Sequence, residues 1–210
     1  MIISACPHIT ATINPYRATD VNLISEFVTI LTLNKTTANS VILSPKGEIM
    51  RNKKVKYVCE AAMIAAFYVV LTLICDAFGL SSLPVQIRFS EALTVLPAFM
   101  PSAVPGLFVG CLIANIITTG NLLDIVFGSL ATLIAAFLSR VLGRKNRWLS
   151  ILPPVVVNTL IIPLVLKFGL GFGPYLLLAA GVFAGEAVSC GVFGSFLIMS
   201  LKKYGFKKEK

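Results

Sequence analysis

The stretch P-V-Q-I-R-F-S-E-A-L-T-V-L-P-A-F-M (84–100) is apolar over most of its length but carries Arg88 and Glu91 three residues apart. In a helix, that spacing places both charges on one face. A charge at the centre of a membrane span costs about 2.5–3.5 kcal/mol on insertion scales, so it is tolerated where it faces protein or a wet cavity. The stretch therefore predicts a membrane span that contributes to a binding site.

The composition of the whole chain agrees with an integral membrane protein. Hydrophobic residues make up 57% of it and charged residues 13%, whereas soluble domains carry about 25% charged residues. The net charge of +9 does not indicate a nucleic-acid partner, because the basic residues of the apolar part fall into three short clusters (51–56, 140–147 and 202–210). Such clusters are typical of the cytoplasmic loops of membrane proteins.

The apolar runs predict an all-α bundle of six transmembrane helices. The three basic clusters lie before the first run, between the fourth and fifth, and after the sixth, which places them on one side of the membrane. We therefore expect both termini to be cytoplasmic and the protein to lie in a prokaryotic plasma membrane. The predicted spans are 56–78, 85–100, 103–118, 122–142, 149–168 and 174–201.

The first 49 residues are of a different kind. They are rich in Thr and Asn, show no sustained hydrophobic periodicity, and lack the basic and apolar regions of a signal peptide. Met50 begins M-R-N-K-K-V-K-Y, a natural cytoplasmic start for the first span. We expect residues 1–49 to be a disordered extension or the product of an over-early start, with a small soluble extension as the alternative, and residues 50–210 to form the membrane domain.

Polar side chains recur inside or at the mouth of the other apolar runs. With the predicted topology, they converge on the outer half of the bundle, in a pocket that opens outward and is closed toward the cytoplasm. We expect them to bind a small polar ligand, although a purely structural ion pair between Arg88 and Glu91 is the alternative. The predicted substrate-binding residues are Arg88, Glu91, Asn115, Asp124, Asn158 and Glu186.

Motifs for catalysis, metal binding and nucleotide hydrolysis are missing from the sequence. The single histidine, His8, lies outside the apolar part, and the cysteines have no C-x-x-C spacing. No G-x-x-x-x-G-K-[ST] motif occurs either, so the chain is not expected to hydrolyse ATP. We predict neither an enzyme nor a resident cofactor or metal.

The first span contains A-A-M-I-A-A, in which Ala61 lies one turn before Ala65 and Ala62 one turn before Ala66. Small residues four apart allow another helix to approach closely. These four alanines are predicted to dock a partner subunit near the cytoplasmic end of the span. Packing within the bundle is the alternative interpretation.

Several segments together resemble the QueT family, the queuosine-precursor substrate-binding (S) components of energy-coupling factor (ECF) transporters. The resemblance covers residues 50–205 and the number of spans. It is carried by I-R-F-S-E-A-L-T-V-L-P (87–97), P-G-L-F-V-G-C-L-I-A-N (105–115), L-D-I-V-F-G-S-L-A-T-L-I-A-A (123–136), P-P-V-V-V-N (153–158) and G-E-A-V (185–188).

The resemblance implies capture of a 7-deazaguanine, such as 7-aminomethyl-7-deazaguanine or queuine, at the outer face. It also implies a transmembrane coupling subunit, for which the alanine face resembles the docking surface, and two ATP-binding cassette ATPases. A carboxylate could accept hydrogen bonds from the N–H and amino donors of such a ring, and a second carboxylate suits an aminomethyl cation.

Other functions remain open at the level of sequence. The chain could be a stand-alone, proton-coupled carrier in which Glu186 or Asp124 relays protons, an S component for another vitamin, or a structural membrane subunit. The carrier is disfavoured by the lack of an evident internal repeat.

Overall fold

The computed structural model describes residues 53–79, 87–171 and 173–203. Within these ranges all regular structure is helical, and no strand occurs. The prediction made for residues 1–49 lies outside the described residues and stays a prediction.

The helices follow one another in an order close to the predicted spans. The α-helices are α1 Lys53–Ala77, α2 Ala103–Thr118, α3 Ser129–Lys145, α4 Leu152–Leu170, α5 Tyr175–Glu186 and α6 Gly194–Lys203. Between them lie the 3-10 segments Phe89–Ala98 and Arg147–Ile151 and the π-helical turns Asp124–Gly128 and Ala187–Phe193.

Four continuous runs are long and apolar enough to cross a membrane, while α2 is a shorter apolar helix. The predicted spans 56–78, 103–118, 122–142, 149–168 and 174–201 each coincide with an α-helical run to within a few residues. The four long runs are Lys54–Ala77, Asp124–Lys145, Arg147–Gly169 and Tyr175–Lys203.

The predicted second span differs from expectation, because Phe89–Ala98 is a 3-10 helix and not an α-helix. Arg88 precedes it in an extended conformation, with φ −119° and ψ 100°, so Arg88 and Glu91 do not share an α-helical face. The hydroxyl of Thr94 bonds to the carbonyl oxygen of Glu91 at 2.5 Å, within the same turn. Pro97 lies inside the segment, where it can supply no backbone donor.

The 3-10 segment runs antiparallel to α1. Near one end of α1, the hydroxyls of Thr72 and Ser90 are 2.9 Å apart. Toward the other end, Ser102 donates to Glu60 at 2.7 Å. The segment is buried from Ser90 to Ala98, so α1 and its neighbours shield it.

Helices α1 and α2 pack closely through small residues. A Cβ added at Gly106 would lie 2.6 Å from the carbonyl oxygen of Ala61, and one at Gly110 would lie 3.0 Å from the Cα of Ala65. Ala61 is half-buried and Ala65 buried in this contact. The predicted docking face is therefore divided: Ala62 and Ala66 are exposed, whereas Ala61 and Ala65 pack against α2 inside the bundle.

An apolar core fills the bundle on the side of the basic residues. Leu93 and Leu96 of the 3-10 segment pack there with Ile64, Leu197 and Leu201, all at most 3% exposed. Leu201 directly precedes Lys202 and Lys203. Apolar side chains thus separate Glu91 from the basic end.

Candidate functional site

Arg88 connects the start of the 3-10 segment to two other elements. Its Nη2 donates to Oδ1 of Asn115 in α2 at 2.9 Å. Its backbone N–H donates to the hydroxyl of Ser189 at 3.2 Å. The guanidinium Nε is buried and has no hydrogen-bond partner, so one donor of this group remains available.

Glu91 lies in the centre of the bundle and is 1% exposed. Its Oε1 accepts a hydrogen bond from the hydroxyl of Tyr68 at 2.5 Å, whereas its buried Oε2 has no partner. Among the described residues, no N–O distance of 4.0 Å or less joins Arg88 to a carboxylate. The alternative of an Arg88–Glu91 ion pair is therefore not what this structure contains.

Glu186 and Asn158 bring α5 and α4 into the same site. The amide Nδ2 of Asn158 donates to Oε1 of Glu186 at 2.8 Å. The thiol of Cys190 donates to Oε2 of Glu186 at 3.4 Å. The Oδ1 of Asn158 is buried without a partner, so this residue offers a free acceptor.

Asn115 links Arg88 to the turn that contains Asp124. Its Nδ2 donates to the backbone carbonyl of Asp124 at 3.3 Å, while its Oδ1 holds Arg88. Gly128 lies directly against this group, because a Cβ added there would be 2.9 Å from Nδ2 of Asn115 and 3.3 Å from Oδ1 of Asp124. A side chain at position 128 would displace one or both.

The structure thus brings all six predicted residues together, and four of them line one cavity: Arg88, Glu91, Asn158 and Glu186. Gly128, Thr132, Ile162 and Val182 complete its wall. The free space holds about one water molecule. A ring-sized ligand would have to move these side chains apart.

Two irregular turns place side chains in this site. Asp124 begins the π-helical turn Asp124–Gly128, and Glu186 directly precedes the second turn, Ala187–Phe193, which contains Ser189 and Cys190. π-Helical turns inside longer helices occur often at functional sites, since they redirect side chains.

Sequence reasoning missed several residues that contact the six. Tyr68, Ser189 and Cys190 bond directly to Glu91, Arg88 and Glu186. A signal existed for Cys190, since it lies one helical turn after Glu186. Tyr68 could have been noticed as a hydroxyl inside an apolar run, but nothing local pointed to Glu91.

The fold and the site together define a class: a membrane protein whose helices enclose a buried, charged cavity in their core. A family model described as QueT transporter matches residues 58–203. The chain therefore belongs to the QueT transporter family, as its motifs predict, and this is a family of transporters and not of enzymes.

One relative of the chain is the "Queuosine precursor transporter QueT" of Lactococcus lactis subsp. cremoris (strain MG1363). It is 31% identical over 85 residues, which are 40% of this chain and 50% of the relative. The chain thus spans about half the length of that relative. No solved structure shows a significant match to the chain.

Proposed function

We propose that this chain is the substrate-binding S component of an ECF importer and captures a queuosine precursor at the outer face of the cell membrane. The expected ligand is a 7-deazaguanine such as 7-aminomethyl-7-deazaguanine or queuine. Membership of the QueT transporter family and the name of the Lactococcus relative support the ligand class.

The observation that carries the proposal is the set of buried polar atoms without partners around the cavity. Arg88 offers a donor, Nε, while Glu91 and Asn158 offer the acceptors Oε2 and Oδ1. Unsatisfied buried polar groups are costly, so they favour a ligand that satisfies them. A 2-amino-pyrimidinone ring has the complementary edge, with a ring N–H, an amino group and a carbonyl oxygen.

The charges of the site favour a cationic substituent on that ring. One guanidinium, that of Arg88, lies among the carboxyl groups of Glu91, Asp124 and Glu186. A cationic substituent would stabilise the ionised form of these carboxyl groups, because buried charges are stabilised by opposite charges. The aminomethyl cation of 7-aminomethyl-7-deazaguanine meets that requirement.

ATP-driven import would need partner subunits, because the sequence has no nucleotide-binding motif of its own. We assign this role to a transmembrane coupling subunit and two ATP-binding cassette ATPases. Ala62 and Ala66 are exposed on α1 and suit close approach by a partner helix. The apolar core between Glu91 and the basic end favours a binding subunit over a channel-like path through the chain alone.

Calorimetry with the purified chain in detergent tests the proposal. The ligand panel contains 7-aminomethyl-7-deazaguanine, queuine, guanine, riboflavin and biotin. We expect tight binding of the deazaguanines and none of the two vitamins. Preferential binding of a vitamin would instead indicate an S component of different specificity.

Uptake of the radiolabelled ligand distinguishes the importer from the carrier. Cells that express this chain without any coupling subunit should take up nothing, whereas cells that also express the coupling subunit and ATPases should accumulate the ligand. Uptake by the chain alone, abolished when the proton gradient is collapsed, would support a proton-coupled carrier.

A further inference from the structure

The hydroxyl of Tyr68 occupies one of the two oxygens of a carboxylate that lines the cavity. It donates to Oε1 of Glu91 at 2.5 Å, and Tyr68 itself is 0% exposed. The other oxygen, Oε2, is left buried and without a partner. Of the two oxygens of Glu91, Oε2 is therefore the one that has no protein donor.

The position of Tyr68 is fixed by packing against α2 and by hydrogen bonds within α1. A Cβ added at Gly110 would lie 2.8 Å from the Cβ of Tyr68, so α2 packs directly against this residue. One turn further along α1, the hydroxyl of Thr72 lies 2.9 Å from both the carbonyl oxygen of Tyr68 and the hydroxyl of Ser90. Both ends of the Tyr68–Glu91 contact are therefore anchored to packed helices.

The other carboxylate at the cavity differs in its partners. Oε1 of Glu186 accepts a hydrogen bond from Asn158. Oε2 lies 3.4 Å from the sulfur of Cys190, whose single proton is shared with the carbonyl oxygen of Glu91, also 3.4 Å away. In each carboxylate one oxygen already accepts a hydrogen bond from a protein group, Tyr68 for Glu91 and Asn158 for Glu186. The free acceptors are divided between Glu91 and Asn158.

We infer that Tyr68 is a positioning residue for ligand recognition and, through Glu91, a determinant of specificity. By holding Oε1, it orients Oε2 toward the cavity as a single acceptor for one N–H donor of the ligand, while Asn158 receives a second. This inference rests on the proposed function, since it assumes that a donor-rich heterocycle binds in this cavity.

The substitution Tyr68→Phe tests it, with Tyr57→Phe as the matched control on the same helix, because the Tyr57 hydroxyl bonds to the carbonyl oxygen of Pro101 at 3.3 Å and Tyr57 does not line the cavity. Calorimetry measures the affinity for 7-aminomethyl-7-deazaguanine and for its analogue without the 2-amino group. We expect Tyr68→Phe to lower affinity for the first compound about 10-fold or more and to reduce the preference for it over the analogue. Tyr57→Phe should leave both affinities nearly unchanged.

A merely structural role would weaken both compounds equally, because it changes the folded fraction and not the geometry of Glu91. Equal weakening, or no change in Tyr68→Phe, would overturn the inference while leaving the proposed function intact. If the wild-type chain binds no deazaguanine, the proposed function fails and this inference fails with it.

A second comparison covers the case in which Tyr68→Phe does not fold. In Glu91→Gln the carboxylate that Tyr68 positions is already lost, so adding Tyr68→Phe should weaken binding no further. The double variant should also fold more readily than Tyr68→Phe alone, because it leaves no buried carboxyl group at position 91 without its hydroxyl donor. A clear additional loss of affinity in the double variant would contradict a role through Glu91.

Discussion

The side-chain amide of Asn158 donates a 2.8 Å hydrogen bond to Oε1 of Glu186 and so joins α4 to α5 inside the bundle. Neither residue is more than 5% exposed. This hydrogen bond uses the amide nitrogen of Asn158 but not its oxygen, because Oδ1 remains without a partner. This pair therefore offers an acceptor to a ligand while it holds the two helices together.

Replacing Glu186 with Gln tests whether this group binds ligand. The amide keeps an oxygen for Asn158 but cannot ionise when a cationic ligand binds, so we expect affinity for the deazaguanine to fall about 10- to 150-fold. The fold should persist, since Arg88 forms no direct ion pair with this carboxylate. Calorimetry and the melting temperature of the ligand-free protein in detergent give the two readings.

The corresponding amide variants at Glu91 and Asp124 belong to the same series. Asp76→Asn is the control, because Asp76 is a partly buried acid at the end of α1 that does not line the cavity. If stability without ligand drops by about 3–5 kcal/mol while affinity is kept, the carboxylates are structural.

Gly128→Ala should impair binding without removing any polar group. The new Cβ would lie 2.9 Å from Nδ2 of Asn115, and overpacking of this kind costs about 1–3 kcal/mol. Because Asn115 holds Arg88, we expect the affinity for the deazaguanine to fall about 10-fold. Gly191→Ala is the control, since Gly191 lies in the other π-helical turn with nothing within 4 Å of an added Cβ.

Leucine substitutions on α1 should separate docking from packing. Ala62→Leu lies on the exposed side, so it should reduce transport and co-purification with the coupling subunit but leave ligand affinity nearly intact. Ala65→Leu lies against Gly110 and should instead lower the melting temperature of the isolated chain. An Ala62→Leu protein that still assembles and transports normally would exclude this face as the docking surface.

Single cysteines in a chain without native cysteines test the predicted topology. Gly173→Cys is exposed with open space around it and should react with an impermeant thiol reagent from outside intact cells. Lys145→Cys and Lys203→Cys should react only after the membrane is permeabilised, because basic clusters favour the cytoplasmic side. The reverse labelling pattern would place the cavity toward the cytoplasm.

The sequence by itself determined which segments are helical and which residues are chemically unusual in them. The runs that contain α1 to α6 follow from the apolar stretches, because the free energy of burying apolar surface depends on local composition. The 3-10 form of Phe89–Ala98 did not follow from them. Arg88, Glu91, Asn158 and Glu186 were identifiable for the same reason, since a polar group in an apolar run has to be compensated somewhere. The family follows from the motifs around these residues, and the comparison confirms it.

Only the tertiary structure decided which groups meet. Arg88 bonds to Asn115 instead of Glu91 because the 3-10 segment begins after it and its backbone is extended. Tyr68 bonds to Glu91, which is 23 residues away in the sequence. Ala61 and Ala65 pack against Gly106 and Gly110, whereas Ala62 and Ala66 stay exposed. Which side chains meet depends on how helices that are far apart in the sequence pack against each other. Local periodicity and the transfer free energies of single residues do not contain that information.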